Sequence, residues 1–237
     1  MGFRSLIKQG YFLKYLTRPA RERGYRHVFC GAHDVKGAKC LNCRKPLLRF
    51  LALDTRDPRL GLPKSPFQMV SLFFCWNCNV AQRPFFYQFT GNDAIRLLAV
   101  GRGGTRADFP YSGYPRFFPE AFVELSPLPE ADQEVIKALN KGKADEWEVR
   151  QKKPHLCFPQ HQIGGEPFLV QKNPDYQGDG RFAEKVTCPE CGRVMPFLAA
   201  IGDETRGAGG FTGIDFVQVL FHYCKRDHIV AAFQQCD

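Results

Sequence analysis

The chain contains the stretch Cys40-Leu-Asn-Cys43, followed by Phe50-Leu-Ala and then by Cys75-Trp-Asn-Cys78-Asn-Val-Ala. About 150 residues later it contains Cys188-Pro-Glu-Cys191, followed by Phe197-Leu-Ala and then by Cys224-Lys-Arg-Asp-His228-Ile-Val-Ala. The gap between the two ligand-type pairs is 31 residues in the first stretch and 32 in the second. The matched order indicates an internal repeat built around two metal-type sites.

Two structural zinc ions are the expected cofactors. A C-x2-C turn brings two sulfurs to within ~2.3 Å of one ion, which a regular strand cannot do. The predicted ligands are Cys40, Cys43, Cys75 and Cys78 in the first site and Cys188, Cys191, Cys224 and His228 in the second. His228 is chosen because it precedes x-Val-Ala, as Cys78 does.

Other ligands stay open. His222 would share a strand face with Cys224, and the upstream pair Cys30-Gly-Ala-His33 has a suitable spacing. Disulfides are disfavoured because a bridge within C-x2-C is strained and because the first ten residues lack an apolar stretch of secretory length. We therefore expect a reducing, cytoplasmic setting, with Cys30, Cys157 and Cys236 serving as small buried hydrophobic residues.

The charge of the chain is concentrated at its amino terminus. The 237 residues carry a formal net charge of +9, and residues 1–50 hold seven Arg and five Lys against Glu22 and Asp34. This excess predicts a basic surface, with Arg18, Arg21 and Arg23 as candidate contacts to nucleic acid or to an acidic protein. The sequence shows no run of about 20 apolar residues, so no membrane partner is expected.

The pattern predicts an α+β fold that is mostly β. Short phenylalanine-rich runs bounded by Pro or Gly predict strands at Met69–Phe74, Phe85–Phe89 and Phe216–Phe221. A helix is predicted from Pro129 to Lys141, with Ala131, Val135 and Leu139 on one face, and another from Phe3 to Leu16. The segments are a basic amino-terminal part (1–39), a first zinc-clasped β unit (40–100), a connecting loop and helix (101–160) and a second zinc-clasped β unit (161–237). The two related β-rich units each have a zinc-ribbon-like clasp.

One further motif, Gly164-Gly165-Glu166-Pro167, precedes the second unit and leads to the run Phe168-Leu-Val. The order Gly-Gly-x-Pro, C-P-x-C-G, Met-Pro-Phe-Leu, Phe-His-Tyr-Cys and Gln-Gln over residues 161–236 resembles the YwqG-like family of uncharacterised bacterial proteins. It is also similar to the programmed cell death 2 family, whose members act as chaperones of a ribosomal protein. The resemblance implies a β-rich domain that cradles a protein partner.

The sequence predicts no catalytic residues. It has no G-x-S-x-G elbow, no H-E-x-x-H and no Walker-type loop, and zinc with four protein ligands has no open position for a substrate. We therefore expect a zinc-stabilised, non-enzymatic protein-binding module. Residues 164–167 are the candidate surface, because a Gly-Gly pair allows close backbone approach and the run after it could add a strand to a partner. A nucleic-acid-binding zinc protein and an immunity or accessory protein that neutralises a partner are the alternatives.

Overall fold

Short apolar runs separated by turn residues assemble into one antiparallel sheet of 11 strands in the computed structural model. The structure describes residues 4–17, 24–62, 65–76, 84–99, 115–157, 160–170, 186–203 and 217–235. The strands are β1 Tyr11–Leu16, β2 His27–Phe29, β3 Leu48–Asp54, β4 Met69–Phe74, β5 Phe85–Gly91, β6 Ala94–Ala99, β7 Ala121–Pro127, β8 His161–Ile163, β9 Phe197–Gly202, β10 Gln218–Cys224 and β11 Ile229–Gln235. Their order across the sheet is β4-β3-β2-β7-β1-β8-β9-β10-β11-β5-β6.

The helical content is small, as predicted for a mostly β fold. Helix α1 spans Glu130–Asn140 and α2 spans Glu146–Lys152, and two 3₁₀ turns cover Pro58–Leu60 and Pro154–Leu156. Pro129 precedes α1 and Gly142 follows it with a positive φ of 64°, so this predicted helix is confirmed. Of the predicted face, Leu139 is buried but Ala131 is exposed. Ile136, which did not belong to that face, is also buried. Among the described residues, neither helix is long and apolar enough to cross a membrane.

The predicted helix from Phe3 to Leu16 is wrong. Its second half is β1, which pairs along its whole length with β7 and at its start with β8. The run Tyr-Phe-Leu-Lys-Tyr-Leu is rich in aromatic residues, which suit a half-buried sheet. Because it can pair with two neighbouring strands, it forms a strand in spite of its weak helical pattern. The run Phe168 to Val170 is likewise not a strand; the strand in that region is β8, which lies before the Gly-Gly pair.

The sheet curls so that its ends approach each other. Phe50 on β3 lies 6.1 Å, ring to ring, from Phe221 on β10, although six strand pairings separate these strands. At the edge strand β4, the Tyr87 hydroxyl of β5 accepts from the Phe73 amide and donates to the Ser71 carbonyl, both at 2.9 Å. The curl encloses the main apolar core, which is rich in fully buried aromatic side chains.

Strands from all four predicted segments belong to this one sheet. The amino-terminal segment supplies β1 and β2, the first unit β3 to β6, the connecting segment β7, and the second unit β8 to β11. The strand that carries Phe-Leu-Ala lies beside the strand that leads to the second cysteine position in both units, because β3 pairs with β4 and β9 with β10.

The sequence repeat is matched by a repeat in backbone hydrogen bonds. Five backbone hydrogen bonds around the first cysteine group have counterparts in the second stretch. In four of them donor and acceptor are both displaced by 148 or 149 residues, and in the fifth the donor is displaced by 134 residues and the acceptor by 148. The matched donor–acceptor pairs are Cys30–Phe50 and Gly164–Leu198, Cys40–Lys45 and Cys188–Arg193, Arg44–Cys40 and Gly192–Cys188, Leu47–Ala38 and Met195–Val186, and Thr55–Gln68 and Asp203–Val217. The local folds of the two stretches are therefore equivalent at these positions.

The equivalence extends to strands whose sequences do not reveal it. Strands β2 and β8 each begin with a histidine and are each followed by two residues with positive φ, Cys30-Gly31 and Gly164-Gly165. β1 lies next to β8, and β7 lies next to β2, with matching registers. β2 therefore has a flanking strand from the connecting segment and β8 has one from the amino-terminal segment.

The two C-x2-C turns have the same backbone shape but different sequences. We define the first knuckle as residues 38–47 and the second knuckle as residues 186–195. The residue after the second cysteine has positive φ in both, 62° at Arg44 and 67° at Gly192. A left-handed conformation costs a residue with a side chain about 1–2 kcal/mol, so the first knuckle is strained at Arg44.

Replacing Arg44 by glycine should therefore stabilise the protein by about 0.5–1 kcal/mol, since relief of the strain exceeds the extra entropy of glycine in the unfolded chain. The matched change Gly192→Ala should destabilise it by about 1 kcal/mol, because a methyl group there meets no atom within 4 Å and only the backbone is strained. Chemical denaturation of both variants measures the two effects. Equal shifts in the same direction would contradict equivalent left-handed turns.

Candidate metal centres

The first cysteine group consists of Cys40, Cys43 and Cys75, whose sulfur atoms all lie within 4.8 Å of one another. The knuckle presents Cys40 and Cys43, and Cys75 directly follows β4. The sulfurs of Cys43 and Cys75 are 3.8 Å apart, far beyond the ~2.05 Å of a disulfide. Cys78, the fourth predicted ligand, lies outside the described residues. This group could hold a metal ion.

The second cysteine group consists of Cys188, Cys191 and Cys224 together with the carboxylate of Asp227, again within 4.8 Å. The sulfurs of Cys191 and Cys224 are 3.8 Å apart, the distance found in the first group. A carboxylate oxygen of Asp227 lies 3.2 Å from the sulfurs of both Cys188 and Cys224. This group also could hold a metal ion.

The structure brings Asp227, and not the predicted His228, to the second group. The His228 ring lies against Phe67 and its Nδ1 is 3.1 Å from the Tyr223 hydroxyl. Tyr223 and Cys224 are neighbours on β10 and therefore point to opposite faces of the sheet. A ring on the Tyr223 side cannot reach the sulfurs on the other side.

The spacing contains a signal for Asp227. Cys224-x2-Asp227 repeats the spacing of Cys75-x2-Cys78, whereas His228 matches Cys78 only when the following Val-Ala is used as the anchor. Alignment on Val-Ala selects His228 in place of Asp227, because His228 has a φ of 55° and occupies the last position of the turn between β10 and β11. An aspartate beside three cysteines is easily missed when only Cys and His are counted.

The rival ligands have other partners. The Cys30 thiol faces the Phe50 carbonyl at 3.6 Å, and His33 Nε2 is 2.8 Å from the Leu47 carbonyl. His222 Nδ1 is 3.0 Å from the Met195 carbonyl. Leu47 and Met195 hold the same position in the two knuckles. The carbonyl at this position accepts from an imidazole N–H in both, although His33 and His222 come from different places in the two stretches. These histidines support the knuckles from outside the cysteine groups.

Charge is distributed differently in the two groups. Hydrogen bonds from Cys75, and after them from the knuckle, lower the pKa of Cys40 to about 5 in spite of its burial. In the second group, burial raises the pKa of Cys224 to about 12, and the adjacent Asp227 adds to this rise. Hydrogen bonds from Cys191 and the other thiols lower the pKa of Asp227. The second group thus already contains a carboxylate charge, which favours a bound cation.

The residues predicted to bind a partner, Gly164 to Pro167, instead contact other parts of the same chain. Gly164 and Gly165 are buried, and their amides donate to the Leu198 and Ile7 carbonyls at 2.8 Å. A side chain at Gly165 would collide with Gln133 of α1. The Glu166 carboxylate accepts from the Asn140 amide at 3.1 Å, and Pro167 is buried. These residues join the sheet to α1 and the amino-terminal segment. Arg18, Arg21 and Arg23 lie outside the described residues.

Sequence reasoning missed a buried ionic cluster around His27. Its Nε2 is 2.9 Å from Asp57, and its Nδ1 accepts from the Asp54 amide at 3.2 Å. Asp57 also accepts from Arg59, whose Nη2 is 2.6 Å away. Both ring nitrogens are therefore engaged, and His27 is only 3% exposed. A His–Asp pair without a free nitrogen or access to solvent has no general-base chemistry to offer.

Comparison with known proteins found no family model that matches this chain and no similar sequence among curated proteins. The resemblance to the YwqG-like and programmed cell death 2 families therefore stays a prediction.

The geometry of the second group predicts a clear order among three variants. Asp227→Ala should weaken metal binding by more than about 100-fold, since even changes behind the ligands cost about 10–100-fold. Asp227→Cys should bind at least as tightly as the natural chain, because it restores the four-sulfur pattern. His228→Ala should retain metal in full. Competition with a colorimetric zinc chelator measures all three, and greater loss in His228→Ala than in Asp227→Ala would return the role to the histidine.

The His27 cluster predicts acid sensitivity. Burial lowers the pKa of His27 below its ordinary value of 6.5, against the opposing effect of Asp57. Below about pH 6.5 the unfolded chain therefore binds a proton that the folded chain excludes, so stability is complete above this pH and falls as the pH drops. Denaturation midpoints between about pH 7.5 and 5.0 should decline less steeply in His27→Gln than in the natural chain. Parallel pH profiles would exclude His27 as a source.

Proposed function

We propose that the chain is a zinc-stabilised, non-enzymatic binding protein with two structural zinc ions. The observation that carries this is the sulfur–sulfur distance of 3.8 Å in both cysteine groups. Two thiolates at ~2.3 Å from one tetrahedral zinc ion lie about 3.8 Å apart, so the sulfurs already have the required separation. Thiolate-rich tetrahedral sites are typical of zinc.

The second group fits zinc with three thiolates and one carboxylate. An oxygen bound at about 2.1 Å would lie about 3.5 Å from each sulfur, and Asp227 is within a few tenths of an ångström of that position. Together with Cys78 in the first group, each ion would have four protein ligands. A filled shell supplies folding energy and leaves no place for a substrate. Thiolate ligands also require a reducing compartment, which supports the cytoplasmic setting.

A binding function is compatible with these features. The reactive-looking pair His27–Asp57 is sealed inside the core, and the metal positions act on the fold. A protein partner follows from the family resemblance, but Gly164, Gly165 and Pro167 are buried and Glu166 is only half-exposed, so these residues offer it little surface. Nucleic acid is the second candidate, favoured by the exposed cationic residues Lys39 and Arg44 of the first knuckle.

The proposal predicts two zinc ions per purified chain. Cys43→Ser and Cys191→Ser should each lose one ion and several kcal/mol of stability, because metal-binding energy is also folding energy. Cys236→Ala, which removes no proposed ligand, should have little effect. Metal analysis after removal of loosely bound ions, with thermal denaturation of the same samples, measures both. One ion or none in the natural chain, or equal losses in all three variants, would overturn the proposal.

A further inference from the structure

We propose that the first knuckle binds the phosphate backbone of nucleic acid. This inference rests on the proposed function, because a metal ion would hold the knuckle in shape. It assigns the contact to Lys39 and Arg44, assisted by Lys45, at the end of the sheet where β3 begins and β4 ends.

The two knuckles share a backbone but differ in charge. The first contains Lys39, Arg44 and Lys45 and no acidic residue, which gives its sequence a formal charge of +3. In the second, Glu190 and Arg193 balance each other. Lys39 and Arg44 are exposed, and among the described residues no carboxylate forms an ion pair with either. Equivalent folds with different surfaces indicate that the charge is not required by the turn itself.

Arg44 has a backbone conformation that favours glycine. The second knuckle has Gly192 at this point, with a nearly identical φ. Arg44 is exposed, so its side chain is not there to fill the core. A strained residue that contributes only an exposed positive charge points to a role for that charge outside the molecule.

The composition of the patch favours nucleic acid over a protein partner. Stable protein interfaces are centred on a cluster of buried apolar or aromatic side chains. The first knuckle offers one large exposed apolar side chain, Leu41, which is 49% exposed and has Lys39, Asn42 and Arg44 within three residues of it in the sequence. Phosphate recognition instead requires cations and exposed backbone, and each phosphate contact adds to the salt dependence of binding.

The test uses the full chain carrying its metal and fluorescent oligonucleotides of about 20 nucleotides, single-stranded and duplex, with anisotropy measured over a range of salt concentrations. The variants are Arg44→Gly, which keeps the turn without strain, and Lys39→Gln. Arg193→Gln on the second knuckle removes one cation as a matched control. Each first-knuckle variant should weaken binding several-fold and lower the salt slope by about 1, whereas the control should change neither. The single-stranded and duplex samples identify the source of the phosphate.

Loss of binding in Arg44→Gly cannot come from unfolding, because this change is expected to stabilise the turn. Absence of oligonucleotide binding by the natural chain with both ions present would overturn the inference and leave the zinc proposal intact. An equal loss in Arg193→Gln would overturn it as well. Binding of polyglutamate as tightly as the oligonucleotides would replace nucleic acid by an acidic polypeptide. A chain without bound zinc would refute the proposed function independently of any binding result.

Discussion

The convergence of sulfur atoms from distant parts of the chain is the constraint on which the rest of the structure depends. Cys43 and Cys75 come within 3.8 Å because β3 and β4 are paired, and Cys191 and Cys224 do so because β9 and β10 are paired. Each knuckle must also turn through a left-handed residue before its strand begins. Sheet pairing and knuckle geometry therefore require each other, and a metal ion would fix both at once.

The order of strands places the two cysteine groups apart. Five antiparallel pairings separate β3 from β9, so these strands run in opposite directions and the groups lie at opposite ends of the sheet. Between them, β7 and β1 pair with each other and cross to flank β2 and β8. One continuous sheet results, in which β1 of the amino-terminal segment and β7 of the connecting segment lie between the strands that carry the two cysteine groups.

Three histidines have structural explanations. His27 is locked between an amide and a carboxylate, and His33 and His222 each meet a knuckle carbonyl. An imidazole is suited to this work because it is half apolar and can place one N–H at a carbonyl inside the core. A binding function would therefore belong to the surface of the molecule. There the first knuckle differs from the second mainly in charge, which is a difference that folding does not explain.

The sequence by itself determined the ligand-rich repeat, the mostly β composition and helix α1, because spacing and local pattern are properties of neighbouring residues. Tertiary structure decided what depends on distant contacts. It made a strand of Tyr11–Leu16 by placing it between β7 and β8, and it buried Gly164 and Gly165 under the amino-terminal segment. It also turned His228 away from the sulfurs and Asp227 toward them, because His228 contacts Tyr223 and Asp227 contacts Cys224, and these two adjacent residues of β10 face opposite sides of the sheet.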